Sequence, residues 1–580
     1  MTMMKKIYSI LFILMTVGAV TGCLNQIDET GFTPETPAIS FAEESMSIEK
    51  GGGELTITLN SNLPWRIKSS VAWVSIPVTN GNEGGEITVK IARNRLREER
   101  TAILTAWITE DSKAEMTIIQ APAEASESIT YHVKADGDGL ASGASWEEAT
   151  TLPTALDAAG DGDVILLAAG TYTPVALISG GEAEEEKTFD IHSNFTIEGG
   201  YPADAVTGAV ADPSNETILS GNLGTTQAYH VVVVSAVKND ANKVVLKNLT
   251  IQDGKGHSKN KEIYRYAGES TFDAGEGAGL CIGVSNVEMT NCRITENSGA
   301  YAGGCIIAYG ANVVFDKCTF NANSVTGNGG GIWNEGDVIM YDCTVSNNRA
   351  DLACAGYYGV GGKSRIYNSS FIGNDNTKGG KLGGGAYLRE GNARGADAVF
   401  VNCTFADNKS GSGGAIAIYG TSAVGANAKL ISCTITGNTA TKGGGIWMNN
   451  QTPTATIYNC IISANSTEIE YGGTAQASES QVSKQISIIG SALLNSEGSA
   501  VSGWSFNAST MLGSLDYWHN SLTKSFALVE SADNPAVDQG MSASELSTLA
   551  DEIADCEASL AAKDQNGQER TRKTIGSYAL

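Results

Sequence analysis

The chain has 580 residues, enough for two or three domains, and its net charge of −26 reflects 64 acidic against 38 basic residues. This balance argues against a nucleic-acid binder, because such proteins need a basic stripe to neutralise phosphates. It also disfavours a polyanionic ligand unless a local basic patch exists. The 68 glycines and a charged fraction of 18% are typical of turn-rich β structure.

The first 22 residues have the pattern of an export signal. Two lysines precede an apolar run over residues 7–20 that is too short to span a membrane. The sequence that follows resembles a bacterial lipobox, Val20-Thr21-Gly22-Cys23. The resemblance implies cleavage before Cys23, acylation of its thiol and a lipoprotein anchored in the outer membrane at the cell surface. A plain signal peptide is the alternative. Residues 23–37 would then be a polar tether.

Residues 38–121 predict a small all-β sandwich, because four segments alternate apolar and polar side chains: 55–59, 87–91, 102–104 and 116–119. The block resembles the BACON domain, an immunoglobulin-like module of Bacteroidetes surface proteins, at Leu63-Pro64-Trp65, Ala72-Trp73-Val74, Asn94, Arg100-Thr101-Ala102-Ile103 and Gln120. The family name implies carbohydrate binding. Trp65 and Trp73 are nevertheless predicted to be core residues, and the domain to act as a spacer or a binder. Residues 122–128 read as a linker.

Residues 129–580 are predicted to form the second domain. Ser145 followed by Glu148 is a capping box, which predicts a helix through Leu156 that covers the open end of the domain. Residues 544–560 have the apolar spacing of a short C-terminal helix. The sequences around Pro535, Asp564 and Ile575 resemble the closing coils of a β-helix.

One short sequence motif occurs seven times between Gly279 and Asn465, at intervals of 25 to 34 residues. Each copy has a cysteine, once a serine, and an asparagine five residues later: Cys292/Asn297, Cys318/Asn323, Cys343/Asn348, Ser369/Asn374, Cys403/Asn408, Cys433/Asn438 and Cys460/Asn465. A glycine cluster such as Gly330-Gly331 separates the copies. A period of this size indicates a solenoid.

The local pattern specifies the kind of solenoid. Segments such as Cys318-Thr319-Phe320 have the two-residue period of a strand, and each asparagine falls where a left-handed turn is expected. The Gly-Gly-x-Ile and Phe-x-x-Asn elements resemble the repeats of right-handed parallel β-helix proteins of the polymorphic outer-membrane-protein and pectate-lyase-like types. The resemblance implies an all-β chain in which successive coils stack about 4.8 Å apart.

The coil register also predicts the state of the cysteines. Equivalent positions one coil apart have parallel Cβ directions, which suits an internal row of thiols better than disulfides. We therefore expect reduced, buried side chains at Cys292, Cys318, Cys343, Cys403, Cys433 and Cys460. The scarcity of histidine, five residues, gives a zinc site no support.

Aromatic residues after the glycine clusters suggest a ligand-binding strip. If Ile332 points inward, Trp333 points outward, and the same register places Tyr358, Tyr387 and Trp447 on the same face. We expect these four side chains to be exposed, to add little to the core and to offer flat faces to sugar rings. The alternative is a purely structural aromatic stack.

Catalysis is the competing interpretation. No Asp-Asp pair exists for a polygalacturonase-type hydrolase. A polysaccharide lyase would need a cation and a base, which the long loop 253–277 could supply through Lys261 or Arg265 and His257 or Tyr264. Calcium would be a cofactor only under this alternative, and otherwise no cofactor or metal is expected.

The sequence therefore favours a lipid-anchored surface protein, with a sandwich holding a β-helix away from the membrane and a non-catalytic, glycan-binding or adhesive role. The alternatives are a lyase acting on an acidic glycan and a passive structural protein. The expected partners are a polysaccharide and, through the lipid, the membrane. Nucleic acid is not expected to bind, and the chain is expected to be monomeric.

Overall fold

The computed structural model describes residues 35–580 except 72, 92–93, 95–98, 123–127, 140, 180, 258–264, 268–269, 380, 392, 422, 475 and 520. The chain forms two compact units, Met1–Ala123 and Glu124–Leu580. The predicted export signal and Cys23 lie outside the described residues.

The first unit is a β-sandwich. One sheet has four strands, in the order Ile39–Phe41, Gly53–Ser61, Gly85–Ile91 and Val74–Ser75, and the other has five, in the order Ser45–Ile48, Ser112–Gln120, Arg100–Thr109, Trp65–Ser69 and Asn80–Gly81. All four predicted strands are present. Trp65 is buried between the sheets, and Trp73 packs against the same core under the guanidinium of Arg100, 4.2 Å from the ring centroid. Trp65 is thus a core residue, as predicted, and Trp73 is partly buried at the edge of that core.

The second unit is a parallel β-helix, which confirms the predicted fold class. Its coils build three long sheets, A, B and C, visited in that order. Sheet A comprises Thr130–Val133, Val164–Ala168, Thr196–Tyr201, Val244–Lys247, Asn286–Thr290, Asn312–Asp316, Asp337–Tyr341, Lys363–Tyr367, Asp397–Val401, Asn427–Ile431, Thr454–Tyr458 and Val482–Gln485. Sheet B comprises Gly170–Tyr172, Thr217–Ser220, Thr250–Gln252, Arg293–Thr295, Thr319–Asn321, Thr344–Ser346, Ser370–Ile372, Thr404–Ala406, Thr434–Thr436, Ile461–Ser463, Ile488–Ile489 and Ala492–Leu493.

Sheet C comprises Phe189–Ile191, Val232–Val234, Leu280–Ile282, Cys305–Ile307, Ile332–Asn334, Tyr357–Val360, Ala386–Arg389, Ile416–Tyr419, Ile446–Asn449 and Ile469–Gly472. Between sheets B and C runs a short turn sheet, Ser298–Gly299, Ser324–Val325, Arg349–Ala350, Lys409–Ser412 and Thr439–Lys442. Among the described residues, two hairpins lie outside the coils, Arg265–Ala267 with Ser270–Phe272 and Leu512–Asp516 with Ser525–Leu528. The helices of the same residues are Leu152–Ala158, Ala508–Met511, Ala543–Asp551 and Ala558–Ala561, with 3₁₀ turns at Glu184–Glu186 and Glu479–Gln481.

The cysteines form the predicted internal row at the corner between sheets A and B. All six are buried and without disulfides. Each thiol donates to a backbone carbonyl of the preceding coil, for example Cys318 Sγ to Met289 O at 3.4 Å and Cys343 Sγ to Phe315 O at 3.5 Å. Ser369 occupies the same row, where its hydroxyl accepts from the Cys343 N–H at 3.0 Å. Position in the coil, rather than disulfide chemistry, therefore explains the cysteine spacing.

The asparagines play a different part from the one predicted. They are not the left-handed residues; the residue immediately before each asparagine has positive φ, such as Ala322 at 54° and Asp407 at 56°. The residue before each cysteine is left-handed as well, as at Lys317 with φ of 56°. These two bends per coil turn each asparagine side chain inward. There the Asn323 Oδ1 accepts hydrogen bonds from the backbone N–H and the Nδ2 of Asn297, both at 3.1 Å. The Asn323 Nδ2 in turn donates to Asn348 Oδ1 on the next coil.

The glycine pairs allow neighbouring coils to approach closely before sheet C. A Cβ atom added to Gly304 would lie 2.4 Å from the carbonyl oxygen of Gly331, and one added to Gly384 would lie 2.3 Å from that of Gly414. Real Cβ atoms do not come this close to a carbonyl oxygen, so a side chain at either position would force two coils apart.

The N-terminal helix is shorter than predicted. It begins at Leu152, and its apolar face joins the core that runs through the coils. Ser145 does cap a turn, accepting from the Glu148 N–H at 3.3 Å, but no helix follows it directly. Trp146 instead packs on the ring of Tyr201, 5.1 Å between centroids, and these contacts hold the segment in a turn.

The C-terminal segment, residues 541–580, does not form the closing coils that its sequence resembles. It packs back on the outer faces of sheets A and B, with two short helices in place of the single helix predicted. Leu546 and Ala550 contact Tyr367 and Val399 of sheet A. On sheet B, the Thr404 hydroxyl donates to Gln565 Oε1 at 2.6 Å.

Candidate binding face

The register of sheet C agrees with the predicted parity. The strand pairs align Trp333 with Tyr358, Tyr358 with Tyr387, and Ala417 with Trp447. Their neighbours Ile332, Tyr357, Ala386 and Ile446 belong to the core inside the coils. The aromatic row therefore lies on the outer face of sheet C, whereas residues 541–580 pack on sheets A and B.

The expectation that these outer rings are exposed is wrong for three of the four. Tyr358 is 2% exposed, Tyr387 4% and Trp447 6%, and they form a second small core with Ala353, Cys354 and Ala417. Tyr358 and Tyr387 are stacked at 5.1 Å with 12° between their planes, so each ring covers a face of the other. Cross-strand stacking of this kind stabilises a sheet. Only Trp333 is partly exposed.

An open groove lies beside Trp333, and we call it the Tyr309 groove. Its volume is about 560 Å³, and it is lined by Phe272, Glu276, Ile306, Ala308, Tyr309 and Glu335, together with Thr271, Val284, Ile307 and Gly310. Tyr309 is 50% exposed at the rim. The indole N–H of Trp333 donates to Glu335 Oε1 at 3.0 Å, which holds this carboxylate at the end of the groove.

The groove is acidic inside and has a cation at its rim. Burial raises the pKa of Glu276 above its usual range, and repulsion from Asp273 and Glu335 acts in the same direction, although a hydrogen bond from the Asp273 N–H opposes them. The Arg394 guanidinium stands over the Tyr309 ring, 4.5 Å from its centroid. Among the described lining residues the groove has two carboxylates and no cation, a set suited to accepting hydrogen bonds from hydroxyl groups.

The loop at 389–394, which the sequence marks only by mixed charge, lies beside the aromatic row. Arg389 donates to the Tyr358 hydroxyl at 3.4 Å and to Glu390 Oε1 at 3.2 Å. Burial opposes ionisation of Arg389, but Tyr358, Tyr387 and Glu390 together raise its pKa. Arg389 therefore stays charged and ties the loop to sheet C.

Most of the side chains predicted for a lyase site lie outside the described part of the structure. Lys261 and Tyr264 lie outside the described residues, and only the backbone of Arg265 is described, in the hairpin with Ser270–Phe272. His257 is partly buried, with its ring edge-on to Tyr229 at 5.6 Å. The hairpin ends at Phe272, which packs on Ile306 in a cluster that Trp333 contacts. The loop thus reaches the Tyr309 groove.

Sequence reasoning found Trp333 but missed Tyr309, Glu276, Glu335 and Arg394. These residues lie in loops or just beyond strands, where the two-residue alternation that placed Trp333 gives no direction. Glu335 is the exception: it stands one residue past the strand end and two residues after Trp333, so the alternation extends to it and predicts the same side as the indole.

Within the described ranges, no three His, Cys, Asp or Glu side chains converge in a group that could hold a metal ion. In the same part of the chain, none of the helices has the length and apolar character needed to cross a membrane.

Comparison with known proteins agrees with the fold. The sequence family described as the right handed beta helix region matches residues 193–393 and 321–462, which gives the hand of the coils. Among curated proteins, no sequence match is found.

Several solved structures, among them the following three, are similar to this chain. The crystal structure of pectate lyase Pel9A has 13% identity and a TM-score of 0.43 over 78% of this chain and 96% of that one. A rhamnogalacturonan lyase has 11% identity and a TM-score of 0.32 over 62% and 87%. The Bacteroides ovatus GH5 xyloglucanase in complex with a XXXG heptasaccharide has 14% identity and a TM-score of 0.15 over 37% and 46%. Likenesses at this level carry no argument about activity or ligand.

Proposed function

We propose that this protein is a non-catalytic glycan-binding protein whose sugar ligand lies in the Tyr309 groove. The observation that carries the proposal is the juxtaposition of an exposed aromatic ring, Tyr309, with two carboxylates, Glu276 and Glu335, in one open groove. An aromatic ring offers apolar area to a sugar face, and carboxylates accept hydrogen bonds from its hydroxyl groups. The groove volume is within the usual range of small-molecule sites.

The same groove favours neutral sugar units. A uronate placed between Glu276 and Glu335 would face like charges in a partly buried site, where repulsion is weakly screened. The buried aromatic residues Tyr358, Tyr387 and Trp447 have a supporting role in this proposal. They stiffen the sheet that carries Trp333, and Trp333 acts on the groove through its indole N–H, which holds the Glu335 carboxylate.

The surrounding architecture fits a surface role in the same proposal. Acylation at Cys23 would anchor the chain in the outer membrane, the BACON-like sandwich would serve as a spacer, and the protein would act as a monomer. A lyase acting on an acidic glycan is the second candidate, because the loop 253–277, to which Lys261, Arg265, His257 and Tyr264 belong, contributes Phe272 and Glu276 to the groove wall.

A glycan-array screen of the chain from residue 24 onward tests the proposal. We expect retention of neutral glycans and no increase in ultraviolet absorbance from unsaturated uronates when acidic glycans are incubated with the protein. Turnover that is abolished by Lys261→Ala or Arg265→Ala would establish the lyase instead. A screen without any hits would contradict the proposal and favour a passive structural protein.

A further inference from the structure

A second groove of different character lies on the turn sheet, and we call it the basic groove. Its volume is about 430 Å³, and it is lined by Lys255, Gly256, Ser298, Gly299, Ser324, Val325, Thr326, Arg349, Asp351 and Lys378. Backbone pairing aligns Lys255 with Ser298, Ser298 with Ser324, and Ser324 with Arg349. These four residues therefore occupy equivalent positions on four successive coils.

The spacing of coils fixes the spacing of charges. At about 4.8 Å per coil, Lys255 and Arg349 start roughly 14 Å apart, with the hydroxyls of Ser298 and Ser324 between them. Both cations are exposed, and both serines are partly exposed. Two cations at this separation, with hydroxyl donors between, can engage two anionic groups of one extended chain.

The charge balance of the basic groove is opposite to that of the whole protein. Its lining has three cations, Lys255, Arg349 and Lys378, against the single carboxylate of Asp351, in a chain of net charge −26. Asp351 is already engaged by the Lys378 ammonium at 2.7 Å. Such a patch concentrates anions locally because surface charges act over about 8 Å at physiological ionic strength.

The neighbouring carboxylate of Asp375 reduces the positive charge of the basic groove without neutralising it. Partial burial opposes ionisation of Asp375, but hydrogen bonds from Thr377 and the charges of Arg349 and Lys409 lower its pKa below the usual range. Asp375 is thus ionised beside Arg349. Asp375 pairs in register between Arg349 and Lys409, so it has a cation on either side.

We propose that the basic groove binds the anionic substituents, carboxylate or sulfate, of a glycan, with Lys255 and Arg349 as the direct contacts. The inference rests on the proposed function and specifies its ligand as a glycan that carries acidic groups as well as neutral units. Arg349 can hold a carboxylate or sulfate through two parallel N–H bonds, and Lys255 acts as a point charge. The serine hydroxyls donate to the same anions.

The two grooves are placed to share one ligand. Ser298 and Gly299 of the basic groove and Ile306 of the Tyr309 groove belong to one coil. Between them stands Tyr301, whose ring is edge-on to Trp333 with centroids 6.1 Å apart. A chain that crosses this aromatic corner passes from the acidic groove to the basic one.

Dextran, carboxymethyl dextran and dextran sulfate test the inference, because they share a backbone and differ in the anion. We expect the protein to bind at least one of the charged polymers, and the charged polymers tighter than dextran, in titrations at low salt. The double variant Lys255→Gln/Arg349→Gln should lose at least tenfold in affinity for that polymer, and the difference should shrink as sodium chloride is added. Arg349→Lys should retain more affinity than Arg349→Gln. The tighter of the two charged polymers identifies the anion as carboxylate or sulfate.

The matched control is Lys90→Gln/Arg293→Gln, which removes the same two charges from exposed side chains with weak ion pairs, both at 3.9 Å. Equal losses in the two double variants, or no binding of either charged polymer, would overturn the inference. Failure of the proposed function looks different: charged dextrans would bind through Lys255 and Arg349 while Tyr309→Ala left the affinity for every array hit unchanged.

Discussion

Removal of one rung of the asparagine row tests how the coils are held together. Asn374 is fully buried, and its side-chain amide makes four hydrogen bonds: Oδ1 accepts from the N–H and Nδ2 of Asn348, at 3.2 and 2.9 Å, and Nδ2 donates to Val345 O and Asn408 Oδ1, both at 2.9 Å. Asn374→Ala removes all four. The Asn348 N–H and the Val345 carbonyl then lose these partners inside the protein.

Each buried polar group left without a partner costs about 1–3 kcal/mol, so we expect Asn374→Ala to destabilise the β-helix by about 2–6 kcal/mol. The control is Asn312→Ala, since Asn312 is exposed and makes one side-chain bond, to Asn286 Oδ1 at 3.1 Å. That change should stay within about 0.5 kcal/mol. Cys343→Ser should also be mild, because Ser369 already fills one rung of the cysteine row.

Urea unfolding followed by circular dichroism gives the global effect, and hydrogen exchange of peptides covering residues 343–350 gives the local one. Because the chain has two units, the local measurement is the more decisive. Exchange at the Asn348 amide should rise steeply in Asn374→Ala and stay at the wild-type rate in Asn312→Ala. If exchange at this amide stayed at the wild-type rate in both variants, the asparagine row would not stabilise the contact between neighbouring coils.

Three further predictions concern thiols, acidity and anchoring. The six cysteines of the row should resist alkylation in the native protein and all react after unfolding, because burial raises the pKa of thiols such as Cys292 and Cys318 and blocks access; a disulfide among them in mass spectrometry would contradict the structure. Burial also raises the pKa of Glu276, so its ionisation destabilises the fold as pH rises through that pKa; Glu276→Gln should therefore be more stable than wild type at pH 7, with a gap that closes toward pH 4 in thermal melts. Cys23→Ala should release the protein from membranes, and continued sedimentation with membranes in high salt would point to another anchor.

The repeat region was the part of the fold most open to prediction. Alternation around Cys318 and Phe320 fixed which side chains point inward, because a strand offers only two directions. The same rule gave the register of Trp333, Tyr358 and Tyr387. It could not give their burial, which depends on residues outside the row, Ala353, Cys354 and Leu382, that pack against the rings.

Other predictions were wrong because contacts with distant parts of the chain outweigh the local sequence pattern. Ser145 and Glu148 had the spacing of a helix cap, but the contact of Trp146 with Tyr201 competes with the helix and prevails. The sequences around Asp564 and Ile575 resemble coils, yet their partners are the outer faces of sheets A and B, which no local pattern identifies. The Tyr309 groove joins residues from four separate segments, so only the folded chain brings them together.

The role of the Tyr309 groove is tested most directly by comparing two exposed tyrosines. Tyr309 is 50% exposed under Arg394, whereas Tyr517 is 54% exposed with the Lys524 ammonium 5.1 Å from its ring centroid, far along the chain. Calorimetric titration with the strongest neutral hit of the glycan array should show a loss of about tenfold in affinity for Tyr309→Ala, or ~1.4 kcal/mol, and none for Tyr517→Ala. Equal affinities for Tyr309→Ala and the wild type would contradict binding in this groove.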